Sequence, residues 1–380
     1  MQLSQICLQK FGVSGESCLL LPTKKVAEHC RSFILSRSSS PPPPVRLIEY
    51  IICPEDKPNA ASKTSRCGEL HVVLFPEDSF PLAKQFWQLT GLGLSSRFAE
   101  YCLSLLPDEP SSPTTPLSPS FPRPSKGGNR HYSNKSLSNG RATLNPVVPA
   151  QIPPASTETL TKDHNIYLEE RYGRNLSISS ASAAKRAMRR RIAGVLVKDT
   201  VATDLPAQDV DKELEIGPST RGVESVSEDD VYLYPTGMGA IWSAHHMARM
   251  TRPDAKSICF GFPYADTLKI LEKWGPGCHF FGHGLDADID ILEKTLEEER
   301  CANPASPLAL ALFTEFPSNP LLRSADLPRL RALADKYDFL IVVDETVGNS
   351  VNVEVLKWAD MVVSSLSKIF SGDANVMGGR

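Results

Sequence analysis

The stretch from Val231 to Ser364 constrains the fold more than any other part of the chain. Short apolar runs alternate there with segments of helical spacing. Ser257–Phe262, Cys278–Phe281, Leu308–Thr314, Phe339–Val343 and Met361–Ser364 read as strands, and Val231–Tyr234 as a strand end. Gly239–Met250, Thr267–Trp274, Ile289–Arg300 and Leu327–Tyr337, capped by Asp326, read as helices. Strands that are apolar throughout are buried on both faces, and the helices between them supply the cover. The expected class is therefore α/β with a mostly parallel sheet. In such sheets ligands sit at the carboxyl ends of the strands, so the polar residues just past each strand carry the functional information.

The rest of the chain divides by texture. Its 380 residues, 41% of them hydrophobic, are enough for more than one domain. Residues 1–106 read as a folded N-terminal extension, with helical spacing at Val26–Leu35 and Ser96–Leu106, a strand at His71–Phe75 and a proline break at Ser38–Pro44. Residues 107–163 are rich in Pro, Ser, Thr, Asn and Gly and bury too little apolar area to offset their ordering entropy, which predicts a disordered linker. Residues 164–380, opened by a possible Asp163 cap, hold the α/β pattern. Ser182–Val197 is a helical stretch carrying Lys185, Arg186, Arg189, Arg190 and Arg191. With a net charge of only -3 for the whole chain, it reads as a solvated face and not as a nucleic-acid or membrane surface. The nine cysteines form no CxxC pair and no zinc spacing, so they are expected as reduced thiols of a cytoplasmic protein, with no metal. No apolar run approaches the roughly 20 residues of a membrane helix.

Four strand ends stand out. Tyr234-Pro235-Thr236-Gly237-Met238-Gly239-Ala240 opens a helix, and glycines at a helix start expose N–H groups to an anion such as phosphate. Ile341-Val342-Val343-Asp344 ends a strand in a carboxylate that suits a metal, a ribose or a protonated ring nitrogen. Met361-Val362-Val363-Ser364-Ser365-Leu366-Ser367-Lys368 ends a strand in hydroxyls and a lysine. A partly desolvated lysine there is a nucleophile for a carbonyl. Phe260-Gly261-Phe262-Pro263-Tyr264 brings an aromatic to a strand–helix junction, where it can stack on a flat ring. Each alone is more often an ordinary turn, cap, surface lysine or core aromatic. As a set they supply an anion cradle, a ring face, a carboxylate and an imine-forming amine.

That set resembles the Cys/Met-metabolism enzymes that use pyridoxal 5'-phosphate (PLP), most closely their fungal cystathionine γ-synthase branch, over residues 164–380. The resemblance implies the large domain of the type I, aspartate-aminotransferase-like, PLP-dependent transferase fold. Ser365-Leu366-Ser367-Lys368 with Gly378-Gly379 is similar to the family's Ser-x-Thr-Lys signature. It implies that Lys368 forms the Schiff base and carries protons and that Ser365 and Ser367 hold the phosphate. By the same likeness Asp344 pairs with the pyridinium nitrogen, Thr346 lies beside the ring, and Tyr264 stacks on it as a second catalytic residue. Thr236, Gly237 and Met238 match the phosphate loop. Arg171-Tyr172-Gly173-Arg174-Asn175 resembles the Tyr-x-Arg element, so Tyr172 and Arg174 are expected to reach the phosphate of a neighbouring subunit in a homodimer or homotetramer. Glu315-Phe316-Pro317-Ser318-Asn319-Pro320 resembles the Glu-x-Pro-x-Asn-Pro stretch, whose Asn, here Asn319, contacts the ring oxygen.

The activity implied is γ-replacement on an O-acyl-homoserine by cysteine, giving cystathionine. Lyases and O-acetylhomoserine sulfhydrylases share the cofactor site and stay open, as does a non-catalytic partner subunit. Two positions depart from the family pattern: Ala265-Asp266 where Gly-Gly is common, and Glu345 where Asn is common. The chain ends at Arg380, whereas the family continues into a smaller C-terminal domain bearing the arginine that grips the substrate carboxylate. The large domain is thus expected to be incomplete and the chain weakly active or inactive.

Overall fold

The structure is a computed structural model describing residues 2–38, 40–53, 67–106, 181–196, 216–302, 304, 307–372 and 376–380. Tyr172, Arg174, the 107–163 segment and the helix expected from His164 lie outside the described residues.

The α/β pattern folds as expected. After α6 (Gly237–Thr251), the chain runs β4 (Ser257–Phe260), α7 (Ala265–Lys273), β5 (Cys278–Phe281), α8 (Asp286–Ala302), β6 (Ala311–Glu315), α9 (Leu327–Tyr337), β7 (Leu340–Asp344), the short α10 (Asn349–Asn352) and β8 (Met361–Val363). The five strands form one sheet in the order β5-β4-β6-β7-β8, and every neighbouring pair is parallel. The two-residue period of a strand divides the core. Ile258, Phe260, Leu312, Ile341 and Val343 face α8 and α9. Cys259, Ala311, Phe313 and Val342 face α6 and α7. Both faces are therefore dry, and polar groups collect at the strand ends. Val231–Tyr234 is not a strand: within it, Tyr234 makes a single antiparallel bridge to Gly379.

The N-terminal residues build more structure than their sequence announced. They form α1 (Gln2–Phe11), β1 (Glu16–Leu21), α2 (Lys24–Arg37), β2 (Arg46–Ile52), β3 (Gly68–Pro76), α3 (Phe80–Thr90) and α4 (Ser96–Leu105). The sheet order is β1-β3-β2, antiparallel throughout. β3 sits in the middle and is buried on both sides, with α2 and α3 on one face and α1 and α4 on the other. Leu89 and Trp274 cross the boundary, each packing into the other region's core.

Two expectations are corrected. Cys53 and Cys67 form a disulfide, where all cysteines were expected reduced. They directly flank the pair Ile52↔Gly68 that closes the β2–β3 ladder, so their Cα atoms lie 4.3 Å apart. The basic stretch, α5 (Ala181–Ala193), is not simply solvated. Arg190 is buried, and Arg186 and Arg190 both bind Glu228, at 2.8 and 2.7 Å. Those guanidiniums hold the Glu228 carboxyl below its usual range, Arg190 most strongly. Among the described residues no helix is long and apolar enough to cross a membrane.

Gly91 ends α3 in the left-handed region, at φ 60°, and its carbonyl accepts a bond from Thr236 Oγ1 at 3.2 Å. A Cβ there would collide with the Thr236 side chain. Gly91→Ala is expected to cost about 2 kcal/mol, from strain plus the displaced contact, in chemical denaturation with an unchanged m value.

Candidate active site

The carboxyl edge of the sheet gathers most of the expected residues. Asp344, the last residue of β7, accepts two hydrogen bonds on Oδ1, from the Thr346 amide at 2.9 Å and the Thr346 hydroxyl at 2.5 Å. The Thr346 oxygen accepts in turn from the Ser365 amide at 2.8 Å, so the loops after β7 and β8 are tied together. Burial pushes the Asp344 carboxyl up, and the two Thr346 bonds and the Arg380 charge pull it back. The β8 loop then turns, with the Lys368 amide on the Ser365 carbonyl at 3.3 Å. Ser367 Oγ accepts from the Gly378 amide at 3.0 Å, which leaves its own proton free to donate. The Lys368 side chain is exposed, although the sequence led to an amine partly desolvated in a cleft; it lies past the sheet edge and no described element covers it.

The first turn of α6 closes on the same loop. A Cβ on Gly237 would lie 2.7 Å from the Ser365 Cβ, so only glycine lets these two loops touch. Thr236 caps the helix, accepting from the Gly239 amide at 2.9 Å while donating to Gly91. Its hydroxyl is thereby engaged on both sides. The backbone of Gly237 and Met238 supplies the outward donors of a helix N-terminus.

Glu315 organises the neighbouring strand end. It pairs in register with Asp344. Its two carboxylate oxygens accept from the Tyr264 amide at 2.5 Å and the Asn319 amide at 3.2 Å, bringing these residues to the same edge. Tyr264 is 55% exposed, and its side chain is hydrogen-bonded to Asp266; burial first, then the Asp266 charge and that bond, pushes its hydroxyl up. Burial first, then the Asp344 charge, pushes the Glu315 carboxyl up to about 7.

Sequence reading gave no role to the group behind the Asp344 loop. Glu345 is fully buried, and Arg221 Nη2 donates to both its oxygens at 3.0 Å. Arg380 Nη2 also pairs with its Oε1. Burial and the Arg221 charge pull the Arg380 guanidinium down to about 9. A buried carboxylate paired with two buried guanidiniums has no local sequence signal, since Arg221 and Glu345 lie 124 residues apart.

A family model described as "Cys/Met metabolism PLP-dependent enzyme" matches residues 227–380, and one described as "Fungal trans-sulfuration enzyme, N-terminal domain" matches residues 1–95. Over residues 227–380 the chain is a member of the Cys/Met-metabolism PLP-dependent enzyme family. A cystathionine gamma-synthase-like enzyme, iboG2, of Amanita muscaria is 48% identical over 100% of this chain and 57% of its own length. A cystathionine gamma-synthase of Neurospora crassa is 42% identical over 96% of this chain and 59% of its own length, and that of Saccharomyces cerevisiae 32% identical over 100% and 62%. The chain thus spans about 57–62% of these relatives. The five-stranded parallel sheet is the α/β arrangement expected, and the cofactor of the matched family is pyridoxal phosphate.

For this Cys/Met-metabolism chain the Glu315 shift has a signed consequence. The folded-state value, about 7, lies above the ordinary 4.5, so the native state binds the extra proton between those limits. Stability from this group is present at low pH and is lost as pH rises through that window. The stability difference between the wild type and Glu315→Gln is expected to turn against the wild type from about pH 4.5 to 7, measured by denaturation at fixed ionic strength. A pH-independent difference would contradict the shift.

Proposed function

We propose that this chain is the cofactor-binding part of a cystathionine γ-synthase, joining an O-acyl-homoserine to cysteine by γ-replacement in the route to methionine. The observation that carries this reading is Asp344, half-buried at the β7 end and linked through Thr346 to the Ser365–Lys368 loop. The names of the Neurospora and Saccharomyces relatives support it. On this reading residues 1–106 are an N-terminal domain of fungal type, 107–163 a linker and 164–380 the PLP-binding region.

The residues present fit PLP. Both Thr346 bonds end on Asp344 Oδ1, so Oδ2 is available to a ring N–H. The close packing of Gly237 against Ser365 sets the α6 amides beside the Ser365 and Ser367 hydroxyls, a cradle suited to a phosphate. When bound, PLP supplies an electron sink for charge developing at the substrate α-carbon. The protein does the rest. Asp344, steadied by Thr346, keeps the ring nitrogen protonated. Tyr264 and Asn319, both anchored on Glu315, flank the ring. The likeness of Arg171–Asn175 to the Tyr-x-Arg element assigns Tyr172 and Arg174 to the phosphate of a neighbouring subunit in a homodimer or homotetramer. Lys368 Nζ holds the cofactor at rest and, once released, takes the proton from the substrate Cα, where its proximity replaces an encounter with solvent base.

The exposed Lys368 favours a second reading, a chain that holds cofactor without turning over substrate. One assay separates the readings: the full chain with PLP, O-acyl-homoserine and cysteine, scored for cystathionine. Cystathionine formed only when both substrates are present supports the synthase. Product from sulfide instead of cysteine supports a sulfhydrylase, and release of an oxo-acid from cystathionine a lyase. Cofactor uptake without turnover supports the second reading.

A further inference from the structure

The N-terminal residues and the helices over the parallel sheet line an open cavity of about 400 Å³, away from the strand ends. α2 contributes His29 and Arg37, α6 contributes Trp242, His246 and Arg249, and Lys273 closes the end of α7. Its charge is one-sided. Burial, and then the Arg249 charge, holds the Arg37 guanidinium below its usual range. Burial also holds both imidazoles below theirs, with Lys25 adding to the effect on each and Arg249 on His246. Glu28, beside His29, is the carboxylate that acts the other way.

Two donors on this wall lack partners. Arg249 Nε and Trp242 Nε1 are both buried with no hydrogen-bond acceptor, and Trp242 is only 5% exposed. A buried donor left unpaired costs about 1–3 kcal/mol, and repelling guanidiniums add to that. An anion relieves both at once, because charge-assisted bonds from guanidinium to an oxyanion are among the stronger polar contacts.

We propose that this cavity binds a small oxyanion, either free or as the phosphate of a monoester. The site is separate from the cofactor cradle, which occupies the other end of the same helix: α6 begins at Gly237 and reaches Arg249 three turns later. An ion seated here touches α2 from the N-terminal sheet and α6 from the cofactor region, so it fastens one to the other.

The test is calorimetric titration of the full chain with sulfate, whose charge is fixed between pH 6 and 8, and with adenosine monophosphate. The cradle at Thr236–Gly239 suits the same ions, so the protein is first loaded with one equivalent of PLP and freed of excess, and the variants carry the comparison. Saturable binding is expected, weakened about tenfold in Arg249→Gln and in Lys25→Glu, with Lys294→Glu on α8 unchanged. An anion favours the imidazoliums of His29 and His246, so sulfate binding takes up protons and tightens as pH falls from about 8 to 6. Tighter binding of the nucleotide than of sulfate assigns the site to a monoester, and equal binding to the inorganic ion. Absence of saturation by either at about 10 mM, or unchanged binding in both variants, overturns the proposal. Should Arg249→Gln fail to fold, Lys25→Glu still decides, since Lys25 is exposed.

Discussion

Lys368→Ala is expected to lower turnover by about 10⁴-fold, wherever the proposed activity is measured, while leaving thermal stability within about 0.5 kcal/mol. The two halves of that expectation come from different facts. The side chain is exposed and past the end of β8, so its loss opens no cavity and strands no buried partner. Its amine, however, is the base that the proposed function assigns to the loop after β8, where the Lys368 amide closes a turn on the Ser365 carbonyl. General acid–base catalysis alone accounts for about 10²–10⁴, and the lost covalent tether adds to it. A readout independent of activity is borohydride reduction followed by mass analysis of the intact chain. The cofactor should become fixed to the wild type and not to the variant. Fixation at an unchanged level would move the tether to another lysine and remove Lys368 from its role.

What was legible in advance follows from what periodicity encodes. Cys278–Phe281 and Leu327–Tyr337 are found at their expected ends, because both are bounded by strong signals: flanking glycines for the strand, and the Asp326 cap and Pro328 for the helix. Periodicity starts α6 two residues late, at Gly239, since Gly237 and Gly239 weaken the helical pattern and only the Thr236 cap marks the true start. β2 escaped notice because it is an edge strand whose residues are mostly exposed or half-buried. Val231–Tyr234 reads as a strand end because it is a short apolar run, yet only Tyr234 finds a bridging partner, Gly379. Asp344 stands out in the sequence as a candidate because it ends an apolar run, and Lys368 because it closely follows one. The mutual arrangement of the site residues does not stand out. That Glu315 sits beside Asp344 depends on β6 lying next to β7 in the sheet, and strand order is not written in hydropathy.

The same reasoning makes Glu345 the residue whose loss should cost the fold most. Glu345→Ala is expected to destabilise the chain by about 3–5 kcal/mol, because it leaves two guanidiniums buried without their counter-charge. Arg221 and Glu345 are 6% and 0% exposed at their side chains, and Arg380 7%, so water cannot step in. The carboxylate also sits one residue from Asp344, with its amide bound to the Val363 carbonyl at 3.0 Å, so the loss falls on the junction of β7 and β8 that carries the site. The pair is not intrinsically favourable: bringing three charges out of water is costly, and removing partners together costs less than removing one. Glu345→Met with Arg221→Met should therefore be less damaging than the two single changes summed, with a coupling of about 2 kcal/mol in urea denaturation. If the single Glu345→Ala change costs under about 1 kcal/mol, the three charges are not held in the dry arrangement described. If instead the singles are costly and strictly additive, Arg221 is acting through its Ile192 carbonyl bond and not through the carboxylate.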